Sequence, residues 1–274
     1  MHNVDKIQEL YDIVEIFQKS FKSKPNVVCI GAYNHGKSSL LNVLTKHYDD
    51  SIFKVADKRE TTENKSYEFE GIIYTDTPGL NATHKDDAYA LDAVLNSDVN
   101  IFVHSQNEGE LSKKEIDYLK CLLDSYCTKE MFISKTIFII NHIEGLNDEE
   151  IKNATQRFNG QINNMFGADP VLFIAKTTSY TKGMRENKPI LARNSGIEEI
   201  KEQIKRFCIP EVVQYRRKQR LKNVYDQLIN LLHQELKDNT AAINEQKNKN
   251  KSVASEISKM AQTINNIKQR LKKD

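Results

Sequence analysis

Residues 31–38 have the sequence Gly-Ala-Tyr-Asn-His-Gly-Lys-Ser, whose residue types and spacing suit the binding of phosphate groups. An apolar run at 27–30 precedes them, and a helical pattern at 39–44 follows them. Glycines let backbone N–H groups turn towards an anion, and the start of a helix adds its dipole. We expect Lys37 to contact the β- and γ-phosphates of a nucleotide and the Ser38 hydroxyl to bind Mg²⁺. The sequence therefore predicts a phosphate-binding loop between a strand and a helix.

A second motif, Asp-Thr-Pro-Gly at 76–79, follows a predicted strand. We expect Asp76 to hold Mg²⁺ through a water molecule. The backbone N–H of Gly79 can approach the γ-phosphate, so this loop can sense hydrolysis. Between the two motifs, the polar segment 57–62 ends in two threonines, and Thr62 is the predicted second protein ligand of Mg²⁺. The alternative is that both threonines only cap or decorate a loop.

Polar residues follow the ends of two further apolar runs, 136–140 and 171–174, and they are Asn141, His142, Glu144, Ala175 and Lys176. In order and separation, all these motifs resemble those of the GTPase superfamily, whose fourth motif is Asn-Lys-x-Asp and whose fifth is Ser-Ala-Lys. The resemblance covers residues 27–208. It implies an α/β fold, a Ras-like P-loop GTPase domain with a mixed, mostly parallel sheet and helices on both faces. A hairpin that pairs 66–70 with 71–75 fits such a sheet.

The same resemblance implies a set of residues that bind GTP or GDP. The phosphate side of this set is Asn34, His35, Gly36, Lys37, Ser38, Ser39, Thr62, Asp76 and Gly79. The base side is Asn141, His142, Glu144, Ala175 and Lys176. The fourth motif departs from the family pattern, because His142 replaces Lys and Glu144 replaces Asp. Glu144 keeps the guanine-recognising carboxylate on a longer arm, so guanine selectivity is expected and a loosened selectivity stays open.

Within the superfamily, the phrase Asn-x-Gly-Lys-Ser-Ser-Leu-Leu-Asn at 34–42 is similar to the Era-like and dynamin-like groups. Leu80 stands where other GTPases carry a glutamine that orients water. This resemblance implies that Asn34 helps to hold K⁺ or Na⁺, which would neutralise transition-state charge beside Lys37 and Thr62. It also implies a homodimer through the GTPase domains that accelerates a slow basal turnover. The alternative role of Asn34 is to stiffen the loop by local hydrogen bonds.

Composition limits the class of protein further. Of the 274 residues, 39% are hydrophobic and 28% are charged, which suffices for a core with much solvated surface. The four cysteines lack the spacing of metal sites and indicate reduced thiols; they are Cys29, Cys121, Cys127 and Cys208. The sequence shows no apolar run of about 20 residues and no signal sequence. It therefore predicts a cytoplasmic protein, with peripheral membrane attachment left open.

The charge is distributed unevenly along the chain. Residues 211–274 carry 14 Lys and Arg against 7 Asp and Glu, whereas residues 1–210 carry 26 against 31. We therefore predict three parts: an N-terminal helix at 1–23, a GTPase domain at 24–209 and a basic helical segment at 210–274. A basic segment of this kind can meet an anionic membrane, RNA or an acidic protein, and a solvated helix face is the plainer alternative.

Both ends of the chain carry helical stripes of apolar residues. In the basic segment, a first stripe includes Leu221 to Leu236, and a second has the 4-3 spacing of a heptad seam: Val253, Ile257, Met260, Ile264, Ile267 and Leu271. The N-terminal stripe consists of Val4, Ile7, Leu10, Tyr11, Val14 and Phe17. The terminal helices are predicted to form a helical bundle or coiled coil, similar to the neck of dynamin-like proteins. Alternatively, they cover one face of the GTPase core.

Three functions stay open at this stage. The first is a dynamin-like GTPase that assembles on membranes. In that case the chain is an N-terminal fragment of a longer protein, takes its stalk from a partner, or is a minimal GTPase. The second is an Era-like GTPase that acts on RNA or the ribosome, which the lack of a recognisable RNA-binding module makes less favoured. The third is a nucleotide-regulated scaffold with slow or lost hydrolysis.

Overall fold

The computed structural model describes residues 2–21, 23–54, 64–78, 90–91, 93–124 and 128–270. It divides into two compact units. We call residues 15–223 the sheet unit and the described parts of the two chain ends, 2–14 and 224–270, the terminal unit.

The sheet unit contains six strands. They are β1 (Asn26–Ile30), β2 (Lys65–Phe69), β3 (Ile72–Asp76), β4 (Val99–Ser105), β5 (Thr136–Asn141) and β6 (Val171–Ile174). Their order is β2-β3-β1-β4-β5-β6; β2 is antiparallel to β3, and all other pairs are parallel. Every residue of β4 and β5 is buried, as expected for central strands that helices cover on both faces. After β1, the chain forms β2 and β3 on one side of β1 and then β4, β5 and β6 on its other side. α/β folds bind ligands beyond the strand ends at such a switch point.

Helices of the sheet unit pack on both faces of this sheet. In chain order, the described helices of the two units are α1 (His2–Ser20), α2 (Lys37–Leu44), α3 (Lys113–Asp124), α4 (Lys129–Lys135), α5 (Asp148–Phe166), α6 (Thr177–Arg185), α7 (Pro189–Arg193), α8 (Ile197–Phe207) and α9 (Pro210–Arg270). One core cluster holds Leu41 of α2 and Ile200 of α8, and the other holds Phe132 of α4 and Ile162 of α5. The predicted fold, a mixed and mostly parallel sheet between helical layers, is confirmed.

The first turns of α9 belong to the sheet unit and are fixed there by a buried ion pair. Arg217 donates from Nε to Asp98 Oδ1 at 2.8 Å and from Nη2 to Asp98 Oδ2 at 2.5 Å. Only 2% of either side chain is exposed. Arg217 also donates to the carbonyls of Ser23 at 3.0 Å and Lys24 at 3.1 Å. One guanidinium thus joins α9 to the chain before β1 and to the turn before β4.

A second buried polar contact fixes the chain that leaves α2. The side chain of Asn42 accepts from the N–H of Phe53 at 2.9 Å and donates to its carbonyl at 2.5 Å. Asn42 also donates to Asp50 at 3.1 Å. Phe53 itself is fully buried in the core cluster that contains α2. The amide of Asn42 therefore pairs with the backbone of Phe53 as a neighbouring strand would.

The terminal unit consists of helical segments from both ends of the chain. Leu10 and Val14 of α1 are buried, as are Val224 and Leu228 of α9. The described members of the predicted heptad seam, in contrast, are exposed by 53–64%: Val253, Ile257, Met260 and Ile264. The side chains of Ile267 and Leu271 lie outside the described residues, and the coiled coil stays a prediction. Among the helices described, none has the length and apolar character needed to cross a bilayer.

Candidate nucleotide-binding site

The predicted phosphate loop joins β1 to α2 and is held tightly at both of its outer glycines. Gly31 has a φ angle of 147° and Gly36 one of 88°. A Cβ atom would lie 2.3 Å from the Val103 carbonyl oxygen at Gly31 and 2.3 Å from Asn141 Nδ2 at Gly36. Both positions therefore require glycine. No side chain of the described segments caps the start of α2, so its first N–H groups are suited to an anion.

Lys37 lies inside this loop. Its Nζ donates to the Ala32 carbonyl at 2.9 Å. Burial lowers the pKa of Lys37, while the negative charge of Asp76 acts to raise it. Asn34 is exposed at the outside of the loop and has a left-handed backbone, with φ of 61°. Such a conformation is costly for a residue other than glycine and is often found at functional sites.

Ser38 and Asp76 form the part of the site that suits a metal ion. Ser38 Oγ donates to Asp76 Oδ2 at 2.6 Å. The other carboxylate oxygen, Oδ1, is buried and has no hydrogen-bond partner among the described residues. Burial raises the pKa of Asp76, and the charge of Lys37 opposes this rise. A buried carboxylate oxygen without a partner, next to a serine hydroxyl, is a donor set that fits Mg²⁺.

Two predicted residues of the phosphate side, Thr62 and Gly79, lie outside the described residues, and their roles stay predictions. The loop that leads to Gly79 is described at its start. There, Thr77 Oγ1 donates to the Cys29 carbonyl at 2.9 Å, which ties the chain after β3 to β1. Sequence analysis did not select Thr77, although a hydroxyl directly after Asp76 could have suggested such a tie.

Asn141, at the end of β5, connects the base side of the site to the phosphate side. Its Nδ2 donates to the His35 carbonyl at 3.1 Å, and its Oδ1 accepts from Thr177 Oγ1 at 2.9 Å. Ala175 is buried after β6, and its N–H donates to the Ile140 carbonyl at 2.9 Å. Thr177 was missed by sequence analysis, since only the fold brings the start of α6 to the end of β5.

His142, Glu144 and Lys176 complete the base side. His142 has a φ angle of 57°, and its Nδ1 lies 2.8 Å from Ser105 Oγ. Burial lowers the pKa of His142, against the influence of Glu144. The Glu144 side chain is exposed, and the Lys176 N–H donates to the Ser195 carbonyl at 2.9 Å. The arrangement therefore places a half-buried imidazole on the same loop as an accessible carboxylate.

Ser39, directly after Ser38, borders a cleft of about 390 Å³. Residues of α6, among them Thr177 and Arg185, line the other side of this cleft. The described residues of the predicted set therefore gather beyond the carboxyl ends of β1, β3, β5 and β6, with open volume beside the start of α2.

Comparisons with known proteins agree with this geometry. Residues 26–142 match a family model described as 50S ribosome-binding GTPase. Over 229 residues the chain is 31% identical to an uncharacterised protein of Acinetobacter baylyi, a match that covers 82% of this chain and 52% of that protein. The chain thus spans about half the length of the curated relative it matches.

Solved structures show a similar fold. LeoA, a bacterial dynamin GTPase from ETEC, has a TM-score of 0.55 at 16% identity, over 83% of this chain and 46% of that one. Era, in complex with MgGDPNP and nucleotides 1506–1542 of 16S ribosomal RNA, has a TM-score of 0.47 at 19% identity, over 68% and 57%.

The phosphate loop, the Ser38–Asp76 pair and the Asn141 tie, within the span matched by the family model, define a P-loop GTPase domain. GTP hydrolysis is the general activity of this class of enzyme. The predicted membership of the P-loop GTPase superfamily is thereby confirmed for this domain.

Proposed function

We propose that the chain hydrolyses GTP to GDP and phosphate as a dynamin-like GTPase whose activity rises when two GTPase domains pair. The observation that carries the hydrolytic part is the Ser38 hydroxyl bonded to a buried Asp76 carboxylate, whose other oxygen has no hydrogen-bond partner within the described part of the chain. Lys37 lies buried in the same loop. An ammonium and a hydroxyl at the start of α2, together with a carboxylate at the end of β3, are what a Mg²⁺–triphosphate requires.

In this proposal each residue has a definite task. Lys37 binds the β- and γ-phosphates, while Ser38, Asp76 and Thr62 hold Mg²⁺, which neutralises charge on the phosphate oxygens. Gly79 contacts the γ-phosphate. Asn34 helps to hold K⁺ or Na⁺ beside the loop, and its exposed position with φ of 61° agrees with a contact outside the fold.

The base side is proposed to select guanine through Glu144, which accepts from the ring N–H and the exocyclic amine. Asn141 and Lys176 orient the base, with His142 and Ala175 beside it. Replacing Glu144 with Ala removes a charged acceptor, so GTP affinity is expected to fall about ten- to hundredfold while ATP affinity does not change. Equal affinity of the wild-type chain for GTP and ATP would contradict guanine selection.

Pairing of GTPase domains is tested by turnover over a range of protein concentrations. We expect the rate per chain to rise with concentration in KCl or NaCl and to stay low in choline chloride. Replacing Asn34 with Ala should make the turnover rate the same in all three salts, without loss of GDP binding. Equal turnover in all three salts at every concentration would contradict both the cation and the pairing.

The layout proposed for the whole chain is a GTPase domain at 24–209 with helical flanks at 1–23 and 210–274. These flanks would transmit motion of the GTPase domain to a membrane-bound assembly. The helical stalk of that assembly would come from a partner or from a longer form of the protein. The likeness to the LeoA fold over 83% of this chain supports this choice.

An Era-like function on RNA is the second candidate. It is favoured by the family description, 50S ribosome-binding GTPase, and by the basic segment after residue 210. Sedimentation with anionic liposomes, compared with binding to ribosomal RNA at two salt concentrations, separates the two. Nucleotide binding without any turnover would instead support a nucleotide-regulated scaffold.

A further inference from the structure

Three titratable side chains meet in the interior directly behind the phosphate loop. They are His35 of the loop, His104 of β4 and Glu115 of α3, and each is at least 99% buried. His104 Nδ1 lies 2.9 Å from Glu115 Oε1, and His35 Nδ1 lies 3.5 Å from the same oxygen. One ligand atom from each of the three side chains lies within 4.8 Å of the other two.

The proposed nucleotide site assigns no role to the imidazole of His35. The proposed function uses only its backbone, through the bond from Asn141. His35 Nδ1 lies 3.2 Å from the Val103 carbonyl oxygen as well as 3.5 Å from Glu115 Oε1. His35 Nε2 is buried and has no hydrogen-bond partner among the described residues, and a carboxylate oxygen of Glu108 is 3.4 Å away from it. Burial lowers the pKa of His35. In the tautomer that carries its proton on Nε2, the neutral imidazole directs an N–H towards Glu108 and a lone pair on Nδ1 towards Glu115, where a cation can bind.

The outer atoms of the cluster are already held in the manner of metal ligands. His104 Nε2 lies 3.2 Å from the Gly109 carbonyl, which leaves Nδ1 to face the centre. Glu115 Oε2 accepts from both the N–H and the hydroxyl of Ser112 at 2.9 Å, which leaves Oε1 to face the same point. Metal-binding histidines commonly donate their second ring N–H to a carbonyl, and metal-binding carboxylates are themselves hydrogen-bonded.

We propose that His35, His104 and Glu115 bind one first-row transition-metal dication, with Zn²⁺ the best match, behind the phosphate loop. Two imidazoles and one carboxylate suit Zn²⁺, whereas Mg²⁺ and Ca²⁺ prefer oxygen ligands alone. Three atoms within 4.8 Å of one another can all lie about 2.8 Å or less from a common point, so a shift of under about 1 Å gives Zn²⁺ ligand distances. Glu108, with 47% of its side chain exposed, marks the path from solvent and can accept from His35 Nε2–H or serve as the fourth ligand.

Such an ion would fix the phosphate loop to β4 and α3 at once. With one carboxylate and two neutral imidazoles, the complex keeps a net charge of +1 behind a loop that binds anions. This site shares no residue with the proposed Mg²⁺ site of Ser38 and Asp76.

The test is Zn²⁺ binding to the whole chain, freed of nucleotide and Mg²⁺ by chelation, in competition with a chromophoric chelator. A Cys121→Ser, Cys127→Ser background removes two thiols that could bind Zn²⁺, including the exposed one of Cys121, whereas Cys29 and Cys208 are buried. We expect one Zn²⁺ per chain, at least hundredfold weaker in His104→Gln and in Glu115→Gln. His233→Gln, which removes an exposed histidine of α9, is the matched control and should bind as tightly as the parent.

No stoichiometric Zn²⁺ binding by the parent chain would overturn the proposal, and this measurement does not depend on any site variant. Unchanged affinity in both His104→Gln and Glu115→Gln, with native circular dichroism, would also overturn it. Because nucleotide is absent throughout, failure of the metal site is distinguishable from failure of the proposed GTPase mechanism.

Discussion

The ion pair between Arg217 and Asp98 allows a test of how much the first turns of α9 stabilise the sheet unit. Replacing Arg217 with Met removes at least four hydrogen bonds, two to Asp98 and one each to the carbonyls of Ser23 and Lys24. Asp98 would then stay buried, with the N–H of Asn26 at 3.0 Å as its remaining contact on β1.

The cost follows from that uncompensated charge. Breaking a buried pair by removing one partner typically costs about 3–5 kcal/mol. For a domain of about 200 residues, this loss lowers the melting temperature by roughly 6–20 °C. Arg217→Lys keeps the positive charge but loses the planar guanidinium with its paired donors. Its stability should therefore lie between that of Arg217→Met and that of the parent chain.

Urea unfolding of the nucleotide-free chain, followed by circular dichroism, measures this loss. The Asp98→Asn, Arg217→Met double variant should be about 1–3 kcal/mol more stable than the sum of the single changes predicts, because no charge is stranded. Arg206→Met, at an exposed arginine of α8, should change stability by no more than about 0.5 kcal/mol. A single-variant loss below about 1 kcal/mol, or strict additivity of the two changes, would refute this reasoning.

Three further predictions concern the nucleotide site. Gly36→Ala should reduce GDP affinity at least about tenfold by fluorescence titration, because the new Cβ would meet Asn141, whereas Gly71→Ala, with a similar φ and open space, should leave affinity unchanged. Asp76→Asn should reduce turnover at saturating GTP about hundredfold or more, yet raise the melting temperature of the nucleotide-free chain, since the raised pKa of the buried carboxylate means that its charge costs folding free energy at neutral pH. Thr177→Val should weaken GDP binding about tenfold by releasing the Asn141 amide, and equal affinity would show that Asn141 orients itself without this bond.

The sheet was predictable because its strands carry strong local signals. The central strands β4 and β5 each contain an apolar run, at 101–103 and 137–140, and polar residues follow that run at the carboxyl end of the strand. The hairpin was predicted one residue out of place. Its turn lies at Glu70 and Gly71, which both have positive φ, so β3 begins at Ile72 rather than at the glycine.

Contacts between motifs could not be predicted in the same way. Asn141 was selected for a base, but its described bonds are to the backbone of His35 and to Thr177. These partners are 106 and 36 residues away in sequence, so only the parallel order of the strands brings them together. The cluster behind the phosphate loop has the same origin, since β4 lies between β1, which leads into the loop that carries His35, and β5, which ends at Asn141.

The amide of Asn42 shows that a family motif can contain residues with unlike duties. The phrase that ends at Asn42 begins with phosphate-loop residues, yet the Asn42 side chain is engaged by the backbone of Phe53. In a saturation mutagenesis scan scored only by the growth of cells that need this protein, substitutions at Asn42 and at Lys37 would be equally harmful. Scored separately for protein abundance, Asn42 variants should disappear from cells while Lys37 variants accumulate as intact, inactive protein. The residues of a sequence motif can therefore include some that stabilise the fold as well as some that carry out the chemistry.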